Sequence, residues 1–242
     1  MSSVLHLSDI HVRYGRTRVL SGLELNVEQG AVYGFLGRNG AGKTTTVRTI
    51  LGVQAPDAGT VTLNGRTVRR TTAAMRRDIG YVSQEQHFFD WMTAQHLGWF
   101  VGAFYPSWDA ARYKMLLERL VVPPKRRAGQ LSGGTRLKLA IAIALAHRPK
   151  LLILDEPTAG VDPVTRRDVL DLLQDEARSE GRTVLFSTHY VAEVEAIGTV
   201  VGVLHEGKLA YEGPLDGLRD TPGGKRTLED AFVAIARGGV PA

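Results

Sequence analysis

Residues 37–45 read Gly-Arg-Asn-Gly-Ala-Gly-Lys-Thr-Thr; they follow an apolar run at 31–36 and lead into a helical pattern. This is the phosphate-binding pattern G-x-x-x-x-G-K-[ST] in the strand, loop and helix context that it requires. Gly37, Gly40 and Gly42 are expected to adopt positive φ angles and to bring backbone N–H groups close to phosphate oxygens. The helix that begins near Gly42 would add the positive end of its dipole. The stretch therefore predicts a bound nucleoside triphosphate.

Two adjacent carboxylates, Asp155 and Glu156, follow the apolar run 151–154. The carboxyl end of a buried strand is the edge at which α/β sheets bind ligands. In the phosphate loop, Lys43 would reach the β- and γ-phosphates and the Thr44 hydroxyl would take a position on Mg²⁺. Asp155 is expected to hold the same ion, and Glu156 is expected to polarise the water that attacks the terminal phosphate.

Composition limits the function classes. Of 242 residues, 43% are hydrophobic and 23% are charged, which is typical of a globular protein with ample core. The chain has no cysteine, so disulfides and thiol-based metal or redox sites are excluded. A net charge of +5 permits binding to nucleic acid, although a solvated charged face also accounts for it. The polar start at 1–6 and the lack of an apolar run near about 20 residues predict a cytoplasmic protein that docks on a membrane protein.

Strand and helix patterns alternate along the chain. Two strands near the N-terminus alternate apolar and polar residues, and three short apolar runs later in the chain alternate with helical patterns. Such buried strands predict an α/β core with a mostly parallel sheet. The expected strands are 4–12, 19–27, 59–65, 79–84, 151–154 and 183–187, followed by a hairpin at 199–211. Thr227 is an expected N-cap for a helix at 227–236.

Aromatic residues concentrate between His87 and Trp108, where all three tryptophans lie. Helical patterns follow, so we expect a mainly helical subdomain at about 86–147, inserted in a single domain that spans 1–242. A short helical tail is expected at about 214–242.

A second glycine-rich segment, Gln-Leu-Ser-Gly-Gly-Thr at 130–135, opens the helical pattern at 136–147. Glycines and a serine at a helix N-terminus favour anion binding. Two phosphate sites in one chain are explained if two chains share each nucleotide.

The segment Leu-Ser-Gly-Gly at 131–134, together with 37–44 and 151–156, resembles the ATP-binding cassette ATPases in order and spacing, from Val4 to about Tyr211. The resemblance implies a P-loop NTPase core with an antiparallel N-terminal β subdomain and an inserted α-helical subdomain. It also implies a head-to-tail dimer with two ATP molecules at the interface. Ser132, Gly133 and Gly134 form the family's signature motif, which contacts the ATP of the partner chain. The residue after it, usually Gln, is Thr135 here.

The same resemblance assigns further residues. Gln84 matches the glutamine that senses Mg²⁺ and the attacking water, and His189 matches the histidine that contacts the γ-phosphate and positions Glu156. Asp162 matches the loop that links the two ATP sites, and Tyr14 resembles the aromatic residue that stacks on adenine. The positions placed against ATP are Tyr14, Gly37, Arg38, Asn39, Gly40, Ala41, Gly42, Lys43, Thr44 and Thr45. Those placed on Mg²⁺ are Thr44, Gln84 and Asp155.

The resemblance favours a transport function. With no coiled-coil arms and a single cassette, the chain is expected to be the ATP-hydrolysing subunit of a transporter, acting with a second ATPase subunit and separate transmembrane permease subunits. By binding to the permease, it would be held at the inner face of the cell membrane. Segments 87–93 and 104–109 resemble bacterial exporter ATPases of the multidrug and bacitracin-resistance type. The alternatives are an ATP-switched protein that acts on nucleic acid and a regulatory module without turnover.

Overall fold

One strand shows how the sequence builds the core. Leu151 and Ile153 pack into one cluster of buried side chains, whereas Leu152 and Leu154 pack into a second cluster on the opposite face. Successive side chains of a strand point to opposite faces, so a continuous apolar run is buried on both sides. The computed structural model describes residues 3–221, 224–225 and 227–237, and a central sheet of such strands organises it.

Twelve strands are present in these ranges. Their bounds are β1 Ser3–Tyr14, β2 Thr17–Glu28, β3 Val32–Gly37, β4 Ala58–Leu63, β5 Arg66–Val68, β6 Ile79–Val82, β7 Leu151–Asp155, β8 Thr183–Thr188, β9 Val200–His205, β10 Lys208–Pro214, β11 Asp220–Thr221 and β12 Gly224–Lys225.

Nine α-helices and one 3₁₀ turn at Ala128–Gln130 lie in the same described ranges. The helices are α1 Lys43–Ile50, α2 Ala73–Arg76, α3 Ala94–Gly102, α4 Ala110–Arg119, α5 Gly133–Ala146, α6 Pro163–Glu180, α7 Val191–Ile197, α8 Leu215–Arg219 and α9 Leu228–Ala236. None of these helices combines the length and the hydropathy needed to cross a bilayer.

The central sheet has six strands in the order β10-β9-β3-β8-β7-β6. All neighbours are parallel except β10 and β9, which form the expected hairpin. The carboxyl ends of β3, β7 and β8 therefore lie side by side at one edge. That edge receives the phosphate loop and both adjacent carboxylates.

A second, antiparallel sheet has the order β2-β1-β4-β5. Its apolar side chains share one buried cluster with α1 and with one face of the central sheet. Asn64 and Gly65 take positive φ angles of 49° and 74° and join β4 to β5 as a two-residue turn. Such a turn is typical of the Asn-Gly pair.

The helices between β6 and β7 begin at Ala94, later than the expected start near residue 86. Thr93 caps α3, since its side chain accepts a hydrogen bond of 3.2 Å from the His96 amide. The preceding residues 83–93 form turns and extended chain.

The C-terminal tail is more varied than the predicted helix-only segment. Helix α8 is followed by the short pair β11 and β12 and then by α9. Thr227 caps α9 as predicted, accepting from the Asp230 amide at 3.0 Å. Part of the tail expected at 214–242 lies outside the described residues.

Candidate nucleotide-binding site

The loop between β3 and α1 takes the form that its glycines predict, with one correction. Gly40 and Gly42 have φ angles of 82° and 114°, and Gly42 is the residue that precedes α1. A Cβ atom on Gly42 would lie 2.9 Å from Leu20 Cδ2. Gly37, by contrast, does not have a positive φ, because it is the last residue of β3. Its small size is needed for packing: a Cβ there would lie 3.0 Å from the Leu204 carbonyl oxygen.

Lys43 is almost fully buried at the first position of α1. Its Nζ donates to the carbonyl oxygens of Gly37 at 2.7 Å and Arg38 at 3.1 Å. The same atom forms an ion pair of 2.9 Å with Glu156 Oε1. The buried Lys43 ammonium is thus held by oxygen acceptors, which a phosphate group could replace.

The carboxylates at the end of β7 have different surroundings. Asp155 Oδ1 accepts a hydrogen bond of 2.7 Å from the Ser187 hydroxyl on β8. Glu156 has a φ of 45°, a left-handed conformation that is uncommon outside glycine. Its amide donates to Ser187 Oγ at 3.0 Å and to the Ser187 carbonyl at 3.2 Å. Ser187 therefore contacts both residues and holds the turn between them.

His189 follows β8 and completes a row of charged groups. Its Nδ1 lies 3.1 Å from Glu156 Oε2, while the other oxygen of Glu156 faces Lys43. Lys43, Glu156 and His189 come from three different elements of the sheet edge, and Glu156 links the other two.

A cavity of about 280 Å³ lies over Lys43 and Glu156, while His189 contacts Glu156 from outside its lining. Phosphate-loop residues, Gln84 and Glu156 line it, and Gln84 stands two residues beyond the end of β6. A larger cavity of about 650 Å³ lies at the opposite, amino-terminal ends of β7 and β8, but the reactive groups converge on the smaller one. The residues lining the smaller cavity are Val19, Asn39, Gly40, Gly42, Lys43, Thr44, Thr45, Gln84 and Glu156.

The second glycine-rich segment lies elsewhere on the molecule. Ser132 precedes α5, and its Oγ accepts from the Thr135 amide at 3.3 Å and lies 2.8 Å from Thr135 Oγ1. Gly134 approaches α6 so closely that a Cβ would lie 3.1 Å from Thr165 side-chain atoms. Residues 132–134 do not line the cavity over Lys43. The structure therefore separates the two anion-binding segments within one chain.

The other predicted residues that do not line that cavity are Tyr14, Gly37, Arg38, Ala41, Asp155, Asp162 and His189. Asp162 caps α6, accepting from the amides of Val164 at 3.1 Å and Thr165 at 3.0 Å. The Thr165 amide is the main cause that lowers the pKa of the Asp162 carboxyl. Tyr14 is the last residue of β1, paired with Thr17, rather than a loop residue, and its side chain is 43% exposed.

Comparison with known families matches residues 20–159 to the family model described as ABC transporter. The chain belongs to the ABC transporter family. The matched range contains the phosphate loop, the 131–134 motif and the carboxylate pair. The predicted family is confirmed.

The named relatives of this chain are also ATP-binding proteins. The chain is 36% identical over 221 residues to the bacitracin transport ATP-binding protein BcrA of Bacillus licheniformis, covering 90% of this chain and 72% of that protein. It is 31% identical over 246 residues to the linearmycin resistance ATP-binding protein LnrL of Bacillus subtilis (strain 168), covering 97% and 79%. A solved ATP-binding subunit of an ABC transporter superposes with a TM-score of 0.86 at 26% identity, covering 96% of this chain and 99% of that one.

This ABC protein is an ATP-binding and ATP-hydrolysing subunit, as its family and named relatives show. The predicted α/β fold with its two sheets is confirmed. The comparisons give no support to the nucleic-acid alternative.

Sequence reasoning missed Ser187, which contacts the Asp155 carboxylate and the Glu156 amide, and Glu193, a buried acid near His189. The sequence carries a signal for each of them. Ser187 is a serine inside an apolar strand, and Glu193 is an acid on the buried side of a short helix.

Proposed function

We propose that this ABC subunit powers export by ATP-driven head-to-tail dimerisation, acting on separate membrane subunits. The row Lys43–Glu156–His189 carries the proposal, because it gathers a phosphate-binding cation and a water-activating carboxylate in one cavity. ATP hydrolysis needs both groups close to the terminal phosphate and the attacking water.

The side chains of the row have distinct roles in the reaction. The γ-phosphate takes the place of Glu156 on the Lys43 ammonium, so ATP binding releases the carboxylate from its ion pair. Glu156 then accepts a proton from the attacking water. His189 holds the second carboxylate oxygen and contacts the γ-phosphate. Gln84, which lines the same cavity, relays the state of the phosphate to the helical segment that follows it.

The cavity is half of an ATP site. Residues 132–134, at the start of α5, do not line it. Two copies arranged head to tail would bring the loop of one chain and Ser132 to Gly134 of the other to the same ATP. Both halves are intact on this chain, so a homodimer suffices, with a heterodimer as the alternative. Asp162 at the start of α6 would connect the two sites.

Oxygen donors suited to Mg²⁺ lie around the loop. Thr44 offers a hydroxyl, Gln84 an amide oxygen and Asp155 a carboxylate, and hard oxygen ligands are those that Mg²⁺ prefers together with substrate phosphates. Within the described ranges, no cluster of three or more His, Asp or Glu side chains could hold a metal without such help. When bound with ATP, the ion would neutralise charge on the phosphates.

Tyr14 is assigned to the adenine ring. The exposed side chain at the end of β1 offers an aromatic face, and base–aromatic stacking requires little else. Tyr14 does not line the cavity, so the base would lie outside the phosphate loop.

A row of exposed aromatic side chains supports docking on a membrane subunit. Phe89 lies 6.1 Å from Trp91 and 6.0 Å from Phe100, measured between ring centroids, and Phe100 lies 5.5 Å from Phe104. All four are exposed, whereas Tyr113 of the same region is buried in the core. A cluster of exposed aromatic residues is typical of protein interfaces. We call these four residues the aromatic row and assign to it a coupling helix of the permease, which would hold the chain at the inner face of the membrane.

The dimerisation mechanism is tested with Glu156→Gln. The amide keeps the shape but cannot act as a base, so ATP should bind and join two chains without being hydrolysed. Light scattering should show an ATP-dependent dimer, and turnover should fall by about 10²-fold or more. Lys43→Ala is the control, which should bind no ATP and stay monomeric. Turnover near the wild-type rate in Glu156→Gln would remove Glu156 from the mechanism.

Export is tested in cells. The named relatives are a bacitracin transport protein and a linearmycin resistance protein, so bacitracin and linearmycin are the first compounds to measure. A strain lacking this protein should accumulate the exported compound, and wild-type protein, but not Glu156→Gln, should reverse that. Reduced uptake in the deletion strain would indicate import instead.

A further inference from the structure

Glu193 is a buried acid that the roles described above do not use. It lies in α7 with 2% of its surface exposed. Its Oε1 accepts a hydrogen bond of 2.5 Å from the Thr158 hydroxyl, and its Oε2 accepts one of 2.7 Å from the Thr188 hydroxyl. The Arg166 guanidinium stands 3.6 Å from Oε1. Charged side chains are almost never buried unless they are paired and hydrogen-bonded, and these partners allow Glu193 to be buried.

The two threonines lie next to Glu156 and His189 in the sequence. Thr158 comes two residues after Glu156, and Thr188 immediately precedes His189. The Thr188 hydroxyl also accepts from the Tyr190 amide at 3.0 Å, so it contacts the chain on the far side of His189. Glu193 thus joins the loop after β7 to the end of β8. We call the set Thr158, Glu193 and Thr188 the clamp.

Glu156 needs such support because of its backbone. Its φ of 45° is a strained conformation, which persists only where the surrounding structure fixes it. Ser187 holds the amide side of Glu156, and the clamp holds the chain that leaves it. The clamp also fixes Thr188, and through it the position from which His189 reaches Glu156 at 3.1 Å.

We propose that Glu193 is a positioning residue for ATP hydrolysis, which acts through Thr158 and Thr188 to hold Glu156 and His189 in register. The proposal rests on the roles assigned above to those two residues. Glu193 does not line the cavity over Lys43. Its loss should therefore lower the rate of hydrolysis and leave ATP binding intact.

The test compares steady-state ATPase kinetics of the full chain with Glu193→Gln, Thr158→Val and Thr188→Val. Valine keeps the shape of threonine and removes the hydroxyl. Each variant should lose about tenfold in kcat with KM for ATP unchanged, because small misplacement of a reacting group costs rate rather than affinity. Thr158→Ser and Thr188→Ser restore the hydroxyl and should restore kcat. Glu195→Gln is the matched control, since this exposed acid lies on the same helix and pairs with Arg219; its kcat should equal that of wild type.

Combining the changes provides a second readout. If the three residues act as one clamp, Thr158→Val and Thr188→Val together should cost no more kcat than Glu193→Gln alone. A loss of folded protein would instead reduce the number of ATP sites per chain, which nucleotide titration counts. Wild-type kcat in Glu193→Gln, or serine variants that fail to restore it, would overturn the proposal. No turnover in the wild-type chain would instead refute the ATPase mechanism itself.

Discussion

At the residue scale, Thr135 shows how a departure from a family pattern is accommodated. The family usually has Gln after the 131–134 motif, and the sequence leaves open what Thr does there. In the structure, the Ser132 oxygen accepts from the Thr135 amide and lies 2.8 Å from its hydroxyl. When the Thr135 hydroxyl donates to Ser132, the Ser132 proton is free to donate elsewhere, as the proposed contact with the partner's ATP requires.

Removing that hydroxyl should weaken the ATP-bound dimer. Thr135→Val deletes one hydrogen bond worth about 1 kcal/mol, so the dimer dissociation constant should rise roughly fivefold. The measurement uses light scattering or ultracentrifugation in the Glu156→Gln background, where ATP persists. Thr135→Ser is the control and should behave as the parent. An unchanged dissociation constant in Thr135→Val would show that Ser132 needs no such partner.

Also at the residue scale, the loop glycines are needed for two different reasons. The sequence predicts positive φ at Gly40 and Gly42 because the loop must turn sharply before α1, and the structure confirms both. The prediction for Gly37 is wrong in its reason. Gly37 is needed because the Leu204 carbonyl of the neighbouring strand passes close to it, and strand order is not visible in the loop sequence.

At the scale of elements, a buried charge network joins α4 to α6. Glu176 accepts bidentate hydrogen bonds of 2.8 and 2.7 Å from Arg112 and one of 2.9 Å from Arg182. Arg112 also donates to the Leu145 carbonyl at the end of α5. All three charged side chains are at most 5% exposed. The network ties α4 and the end of α5 to α6 and to Arg182, which immediately precedes β8.

The network predicts an order of stability losses. Glu176→Ala leaves two buried guanidinium groups without their shared carboxylate and should cost about 3–5 kcal/mol in free energy of unfolding. Arg112→Ala should cost less, because Arg182 still balances Glu176. Urea unfolding measures both, with Lys114→Ala as the control: its pair with Glu118 is exposed, so the change should stay within about 0.5 kcal/mol. Equal losses for Glu176→Ala and Arg112→Ala would contradict the shared-carboxylate account.

The aromatic row makes a separate prediction. Phe89→Ala, at the centre of the row, should reduce co-purification of the membrane subunit by about tenfold while leaving ATP binding and stability unchanged, as expected for an exposed interface anchor. Met115→Ala is the matched control, an exposed apolar residue on α4 outside the row. Full co-purification with Phe89→Ala would move the docking surface elsewhere.

At the scale of the whole molecule, stability should depend on pH through His147. Burial, with the Arg182 charge as a lesser cause, lowers the pKa of His147 to about 4. The ordinary value in an unfolded chain is near 6.5. The unfolded state therefore binds the proton first, and the fold loses stability as the pH falls from 6.5 toward 4. Asp109 and Asp162 have lowered pKa values, so their titration falls below most of this window.

The expected loss from His147 is about 2 kcal/mol between pH 6.5 and 4.5. Urea unfolding at the two pH values measures it. His147→Phe keeps a ring against Tyr105, which stacks on His147 with centroids 4.1 Å apart, and removes the titration. The variant should therefore lose about 2 kcal/mol less than wild type over that interval. Equal pH dependence in both proteins would assign the effect to other groups.

The sequence alone determined most helices and strands and the reactive residues that lie along them. Apolar runs of period two, Gly40 and Gly42, the carboxylates after β7 and the Thr227 cap follow from backbone sterics and local hydrogen bonding, which act over a few residues. The start of α3 is not given by the aromatic-rich composition of the segment. The Thr93 cap sets it at Ala94.

Tertiary structure decided how those parts meet. Register pairs Asp155 with Ser187, which sets the left-handed turn at Glu156, and strand order brings His189 to that carboxylate from 33 residues away. The Glu193 clamp and the separation of Ser132 from the Lys43 cavity arise in the same way. Contacts of this kind depend on how distant strands and helices pack, and packing energy is shared by the whole core rather than encoded in any one segment.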